Sequence, residues 1–316
     1  MIKIYAPASI GNLGVGFDIL GAAITPIKNK NLGDIVTIKS SKTIKLTNTG
    51  KFSKELPTSI YDNLTWKAWK IFCKTIKQKK NVHIILEKNL PVSSGLGSSA
   101  SSIVATLVAL NIFFKKPLKK KKLIKLMGML EKEISGEKHY DNVIPSYLGG
   151  IKLIISNKKN IYQNIPYFKN WFWIIAWPGV KLSTSISRSV LPNYYSKKDC
   201  IEHSKNLSCF IHALYTKQNN LAASCIQDII AEPYRKKFLK NFDQHKKNIQ
   251  KIGSIAYGIS GSGPTIFSIC DNEMTAEKVK KYFLENYIQT KQGFSYICQI
   301  DSIGVRKIGK KSYETI

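Results

Sequence analysis

The run from Pro91 to Ser102, Pro-Val-Ser-Ser-Gly-Leu-Gly-Ser-Ser-Ala-Ser-Ser, sits between an apolar strand and an apolar helix. The alternation of Val82, Ile84 and Leu86 predicts the strand. The helix is expected from Ser98 to Phe114. Ile103, Val104, Leu107, Val108 and Leu110 make it apolar on nearly every side, so it belongs in a core. Such a junction aims free backbone N–H groups and the positive end of a helix dipole at one point. A polyphosphate suits that point. Gly95 and Gly97 let the backbone approach phosphates closely, and Ser98 or Ser99 is expected to cap the helix or reach a metal ion. No Gly-Lys-Ser/Thr follows the glycines, which excludes a Walker A loop. Taken alone, an ordinary strand-to-helix turn with a serine cap explains the run equally well.

Two further segments break that tie. Residues 5–21 read Tyr-Ala-Pro-Ala-Ser-Ile-Gly-Asn-Leu-Gly-Val-Gly-Phe-Asp-Ile-Leu-Gly, and residues 258–267 read Gly-Ile-Ser-Gly-Ser-Gly-Pro-Thr-Ile-Phe. Each alone reads as a turn or a hairpin. In this order and spacing, the three segments resemble the motifs of the GHMP kinases, a family of ATP-dependent small-molecule kinases. The resemblance spans nearly the whole chain. It implies an α+β fold, with a ribosomal-S5-like, ATP-binding domain over residues 1–156 and a ferredoxin-like domain over residues 157–316. The active site would lie in the cleft between them. A chain of 316 residues is long for one core, which agrees with two domains. The resemblance also implies that Pro91, Val92, Ser93, Ser94, Gly95, Leu96, Gly97, Ser98, Ser99, Ala100 and Ser101 wrap the ATP triphosphate. Lys88, just before the loop, would screen phosphate charge.

Composition excludes several other classes. Cys73, Cys200, Cys209, Cys225, Cys270 and Cys298 are scattered, without a Cys-x-x-Cys pair or histidines at ligand spacing. Neither a zinc site nor a disulfide framework is expected, and reduced cytoplasmic thiols fit. The amino terminus begins a strand at once, so no signal peptide is expected. Trp171 to Trp177, the longest aromatic apolar run, is too short to span a bilayer and reads as a buried strand. A net charge of +29 invites a nucleic-acid reading, yet of 49 basic residues only Arg188, Arg235 and Arg306 are arginine. Nucleic-acid surfaces favour the arginine fork. Lysines such as those in 77–80 and 119–122 read instead as solvated faces, able to attract RNA weakly in a salt-sensitive way. No specific nucleic acid and no membrane partner is expected.

Where lysine replaces arginine almost everywhere, a surviving arginine marks a place lysine cannot serve, such as a bidentate carboxylate contact. Arg188 lies in Thr-Ser-Ile-Ser-Arg-Ser-Val-Leu-Pro, and Arg235 in Ile-Ile-Ala-Glu-Pro-Tyr-Arg. A further segment, Glu131-Lys-Glu-Ile-Ser-Gly-Glu-Lys-His-Tyr-Asp-Asn-Val-Ile-Pro145, begins at the end of a helix expected over Lys119 to Ser135. Its apolar stripe is Leu123, Met127, Leu130 and Ile134, and periodicity does not choose between the flanking Glu131 and Glu133. These contexts resemble the branch of the GHMP kinases that phosphorylates L-homoserine, where a glutamate lies eight residues before a His-x-x-Asn pair. That spacing selects Glu131.

The resemblance implies transfer of the ATP γ-phosphate to the L-homoserine hydroxyl, giving O-phospho-L-homoserine on the route to threonine, by a chain able to form a homodimer. It implies Mg²⁺ held by Ser99 and Glu131. One hydroxyl and one carboxylate suit this cation, which keeps water and phosphate oxygens in its other octahedral positions. Asn12, Asp18, His139, Asn142, Arg188 and Arg235 would form the amino-acid pocket, with the arginines on the substrate carboxylate and Asp18 partnering the reacting hydroxyl. Asn142 takes the place where mevalonate kinases carry a basic aspartate. Positioning and charge stabilisation then dominate catalysis.

Three departures from the family pattern stand out. Ser93 replaces a glycine, Ile10-Gly11 replaces a small polar residue and alanine, and Ile144 replaces alanine. Each is expected to lower turnover at most, and none removes a proposed ligand. A kinase of polyols or isoprenoid precursors would lack the paired arginines and the His-Tyr-Asp-Asn run. A silent binding protein would not need the intact loop with Glu131.

Overall fold

The computed structural model describes residues 1–28, 31–136, 138–157, 160–309 and 313–315; the side chains of Ile134, Ser135, Tyr313, Glu314 and Thr315 lie outside the described set. The chain opens with β1 (Ile2–Gly11), β2 (Leu20–Pro26) and β3 (Gly33–Ser40). β1 changes partner half-way along, pairing with β3 over Ile2–Pro7 and with β2 over Ala8–Gly11. The first glycine-rich segment is therefore the β1–β2 connection. β4 (Lys45–Thr49), α1 (Leu64–Ile76) and β5 (Val82–Glu87) follow. The Asn63 side chain caps α1 by accepting from Thr65 N. β5 lies between β3 and β4, with Val82, Ile84 and Leu86 buried as their alternation predicts.

α2 (Ser98–Phe113) is buried continuously from Ala100 to Asn111, and α3 (Lys120–Ser135) and α4 (Val143–Leu148) pack beside it. Ile4, Val36 and Ile84 of the strands meet Phe72, Ile103, Leu107 and Met127 of the helices in one core. This is why α2 shows no polar face: it is covered on every side.

β6 (Ile151–Ile154) and β7 (Tyr162–Ile165) form an antiparallel pair on β2. Residues 156 and 157, where the two expected domains meet, lie inside that pair. After them come β8 (Phe172–Trp177), α5 (Thr184–Ser189), α6 (Lys197–Tyr215), α7 (Asn219–Ser224), α8 (Glu232–Arg235) and α9 (Phe242–Ile252). α6 starts where Ser196 and Asp199 form a capping box.

β9 (Ala256–Ile259), β10 (Ile266–Cys270), α10 (Glu273–Asn286), β11 (Phe294–Ile300), β12 (Arg306–Ile308) and β13 (Tyr313–Thr315) complete the chain. The strand order is β4-β5-β3-β1-β2-β11-β8-β10-β9, with β12 on β1. The last strands thereby return to the first ones and tie the two halves together. β8 is apolar throughout because Trp173, Ile175 and Trp177 face one core while Ile174 and Ala176 face another. Arg306 is structural: its Nη1 bonds both oxygens of Asp301 (2.9 and 2.8 Å), and its guanidinium lies over the Tyr5 ring. No helix among the described residues is long and apolar enough to cross a membrane.

Candidate active site

The three glycine-rich segments converge on one cleft of about 410 Å³. The loop between β5 and α2 is braced from behind by the third segment. Ser260 Oγ donates to Gly95 O (2.6 Å) and Thr265 N to Ser94 O (3.1 Å), while Gly261 N donates to Gly11 O of the first segment (3.1 Å). The brace fixes the loop backbone, and Gly261 and Ser262 of the third segment line the cleft beside it.

α2 begins at Gly97, which holds a left-handed φ of 61°, and no side chain caps this end. The expected serine cap is absent because both serines point elsewhere: Ser98 Oγ donates to Leu90 O (3.4 Å), and the Ser99 hydroxyl bonds Glu131. The first-turn N–H groups of a helix have no intrahelical partner, so an uncapped start beside a cleft favours an anion there. A Cβ on Gly97 would collide with Ser9 Oγ, so only glycine fits. Ser93, which stands in for a family glycine, holds a left-handed φ of 55°.

Val92, Ser93, Ser94, Gly95, Gly97, Ser98 and Ser99 line the cleft. Pro91, Leu96, Ala100 and Ser101 do not reach it with their side chains. Ser101 Oγ faces inward, donating to Ala6 O and accepting from Asp34 N (both 2.8 Å).

Lys88 also lines the cleft, at its floor. Its side chain is 2 % exposed, and its ammonium is ion-paired with buried Asp34 while donating to Ser98 O (2.8 Å) and Ser102 Oγ (3.0 Å). An ammonium has three N–H bonds, and all are spent beneath the loop. Asp34 also accepts from Asn89 N and Leu90 N. Lys88 therefore stiffens the loop from below and has no donor left to point at a phosphate.

Glu131 is 8 % exposed, and burial pushes its carboxyl up to about 7, opposed only partly by the Ser99 hydrogen bond. Glu133 instead is exposed and lies 3.7 Å from Lys67. Among the described residues no cluster of three or more His, Cys, Asp or Glu could hold a metal. Ser99 and Glu131 bring a hydroxyl and a carboxylate into contact beside the loop, oxygen donors of the kind that suit Mg²⁺.

The residues expected to bind the amino acid all line this same cleft. Arg188 grips Asp18 through Nη2–Oδ1 (2.7 Å) and Nη1–Oδ2 (3.2 Å), and His139 Nδ1 lies 3.7 Å from Asp18 Oδ1. Asn12 Oδ1 accepts from Asp18 N (3.0 Å). Arg235 is buried, donating from Nε to Ser187 O (3.0 Å) and from Nη1 to Gly261 O (2.9 Å). Both guanidinium groups lie over the ring of Phe17, at 5.7 and 5.2 Å from its centroid. The cationic end is thus assembled from distant segments.

Sequence reasoning missed three features. Phe17 is one. Asp141 is another: it is buried in the cleft wall, and burial together with the nearby Asp18 and Glu131 charges pushes its carboxyl up to about 7, with Arg188 opposing. Its place between His139 and Asn142 was the available signal. The third is a half-apolar wall of Leu56, Pro57, Leu64 and Leu86 beside the loop. Nothing local to those residues marks it.

The GHMP kinases N terminal domain family matches residues 63–150, and the GHMP kinases C terminal family matches residues 205–289. The homoserine kinase of Buchnera aphidicola subsp. Cinara cedri is 58% identical over 312 residues, covering 99% of each chain. That of Buchnera aphidicola subsp. Acyrthosiphon pisum (strain Tuc7) is 60% identical over 309 residues, covering 98% of this chain and 100% of the relative. A crystal structure of homoserine kinase from Cytophaga hutchinsonii superposes with a TM-score of 0.87 at 28% identity, over 97% of both chains. The L. major mevalonate kinase shares the fold, with a TM-score of 0.73 at 14% identity over 95% of this chain and 96% of that one. Matched along both halves of its length, the chain belongs to the GHMP kinase family, in its homoserine kinase branch.

Proposed function

We infer that this protein transfers the γ-phosphate of ATP to the hydroxyl of L-homoserine, giving O-phospho-L-homoserine for threonine biosynthesis. What carries this reading is the placing of Arg188 and Arg235 in the cleft that also receives the uncapped start of α2. One group of residues suits a carboxylate and the other a polyphosphate, and a phosphorylated amino acid joins the two.

In this reading residues 1–156 bind ATP and residues 157–316 complete the amino-acid pocket. The base of ATP packs on Leu56, Pro57, Leu64 and Leu86, and the triphosphate follows the loop toward the α2 N–H groups. Arg188 and Arg235 hold the homoserine carboxylate, fixing the far end of the substrate, while Asp18, His139, Asn12 and Asn142 orient its amino group and hydroxyl. Ser99 and Glu131 would hold Mg²⁺, which when bound neutralises charge developing on the phosphates. Most of the acceleration then comes from holding the hydroxyl oxygen in line with the γ-phosphorus. Free cysteines fit a reducing compartment, and we place the enzyme in the cytoplasm.

The test is a coupled ADP-release assay with MgATP and L-homoserine, mevalonate or galactose. Only homoserine is expected to raise ADP release above the acceptor-free rate. Equal or greater stimulation by mevalonate or galactose would overturn the assignment.

A further inference from the structure

Asn142 is held from two sides. Ser9 Oγ, buried on β1, donates to its Oδ1 (2.9 Å), and its Nδ2 donates to Asp141 Oδ2 (3.0 Å). The two partners act on opposite ends of the amide, a hydroxyl donor on the oxygen and a carboxylate acceptor on the nitrogen. With Asp141 ionised, its carboxylate can only accept, so a half-turn of the amide would lose that bond, whereas the Ser9 hydroxyl can donate or accept and serves either orientation. Two glycines let the backbone approach this pair closely. A Cβ on Gly97 would come within 3.0 Å of Asn142 Oδ1, and a Cβ on Gly11 would collide with Asp141 Oδ2. Gly11 is one of the departures noted in the sequence, and here it makes the space that the Asp141 carboxylate fills.

We propose that Ser9 and Asp141 are positioning residues that fix the Asn142 amide so that it meets the reacting hydroxyl as a hydrogen-bond donor through Nδ2. The oxygen of the amide is turned to Ser9 and Gly97, while the nitrogen keeps one hydrogen beyond the one given to Asp141. Asn142 then holds the hydroxyl oxygen in line as its lone pair forms the bond to the γ-phosphorus and the bond to the ADP oxygen breaks, the hydroxyl proton passing to an oxygen of the transferred phosphoryl group. This role rests on the homoserine kinase reading, and it separates Asn142 from a proton acceptor.

Two variants of Asp141 distinguish positioning from proton transfer. Asp141→Ala removes the acceptor and frees the amide to rotate, and kcat should fall by about 10²-fold with the MgATP KM little changed. Asp141→Asn keeps an oxygen for Nδ2, and it should recover most of that loss. Equal loss in both variants would overturn the proposal, because the carboxylate itself would then be required. A second readout does not depend on the substrate. In protein labelled with ¹⁵N-asparagine, the Asn142 side-chain resonance, identified by its loss in Asn142→Asp, should move in Asp141→Ala and in Ser9→Ala. An unmoved resonance would end the proposal even if homoserine is the substrate. A moved resonance in a protein that does not phosphorylate homoserine would end the kinase reading and leave the amide lock standing. Ser9→Ala supplies the test if Asp141→Ala does not fold.

Discussion

Arg188 holds Asp18 through both ends of its guanidinium fork, although 170 residues separate them in the chain. The fork is therefore shaped and oriented by an internal carboxylate at the place where the substrate carboxylate is proposed to bind. A second carboxylate must share Arg188 or take it over from Asp18. Arg235 is committed differently, with two of its donors on the backbone oxygens of Ser187 and Gly261.

That difference predicts unlike outcomes for like substitutions. Arg188→Lys and Arg235→Lys should each raise the homoserine KM by about tenfold or more, since charged hydrogen bonds contribute roughly 1.5–3 kcal/mol. The MgATP KM should hardly change. Arg235→Lys should also lower the melting temperature, because a lysine cannot span Ser187 O and Gly261 O together, whereas Arg188→Lys should not. An unchanged homoserine KM in both variants would remove these arginines from the pocket.

Local pattern made much of this legible. The alternation of β5 and the apolar run of α2 marked those elements, and the glycine-rich segments marked where the cleft would be. What escaped depends on contacts far apart in sequence. Lys88 reads as a free cation until it meets Asp34, 54 residues away. Asp141 reads as a loop carboxylate until Gly11 and Asn142 close around it. The short strands β12 and β13 carry no strong alternation, and it is pairing that organises them, β12 on β1 and β13 on β12.

Glu131→Gln should cripple the chemical step while leaving folding and homoserine binding intact. Removing an electrostatic stabiliser of this kind costs about 10²–10³ in kcat. Steady-state kinetics across a Mg²⁺ titration, with circular dichroism as the folding control, makes the measurement. Partial recovery at high Mg²⁺ would show weakened metal affinity. A folded variant with near-normal kcat at ordinary Mg²⁺ would transfer attention to Glu133.

The buried carboxyls make stability depend on pH in an unusual direction. Burial raises Asp141 from an ordinary 3.8, and Glu131 from 4.5, to about 7 in the folded protein. Each therefore binds a proton more tightly folded than unfolded. Their contribution is fully present below the unfolded values and is lost as pH rises through about 7. Without Mg²⁺, the melting temperature should be higher at about pH 5.5 than at about pH 7.5, and Asp141→Asn should shrink the difference. The same pH dependence in wild type and Asp141→Asn would contradict the burial argument for Asp141.

The +29 charge is predicted to be incidental to catalysis. Added RNA should leave turnover at saturating substrates nearly unchanged, and any binding seen by fluorescence anisotropy should weaken steeply with salt. Tight, salt-resistant binding to one RNA sequence would require a second function.

The most direct test of the central claim follows the phosphate itself. Purified protein incubated with MgATP and L-homoserine should give, by ³¹P NMR, a phosphomonoester resonance that matches O-phospho-L-homoserine and grows in step with ADP. Loss of the γ-phosphate signal only to inorganic phosphate, or no consumption of ATP beyond the rate without homoserine, would contradict the assignment.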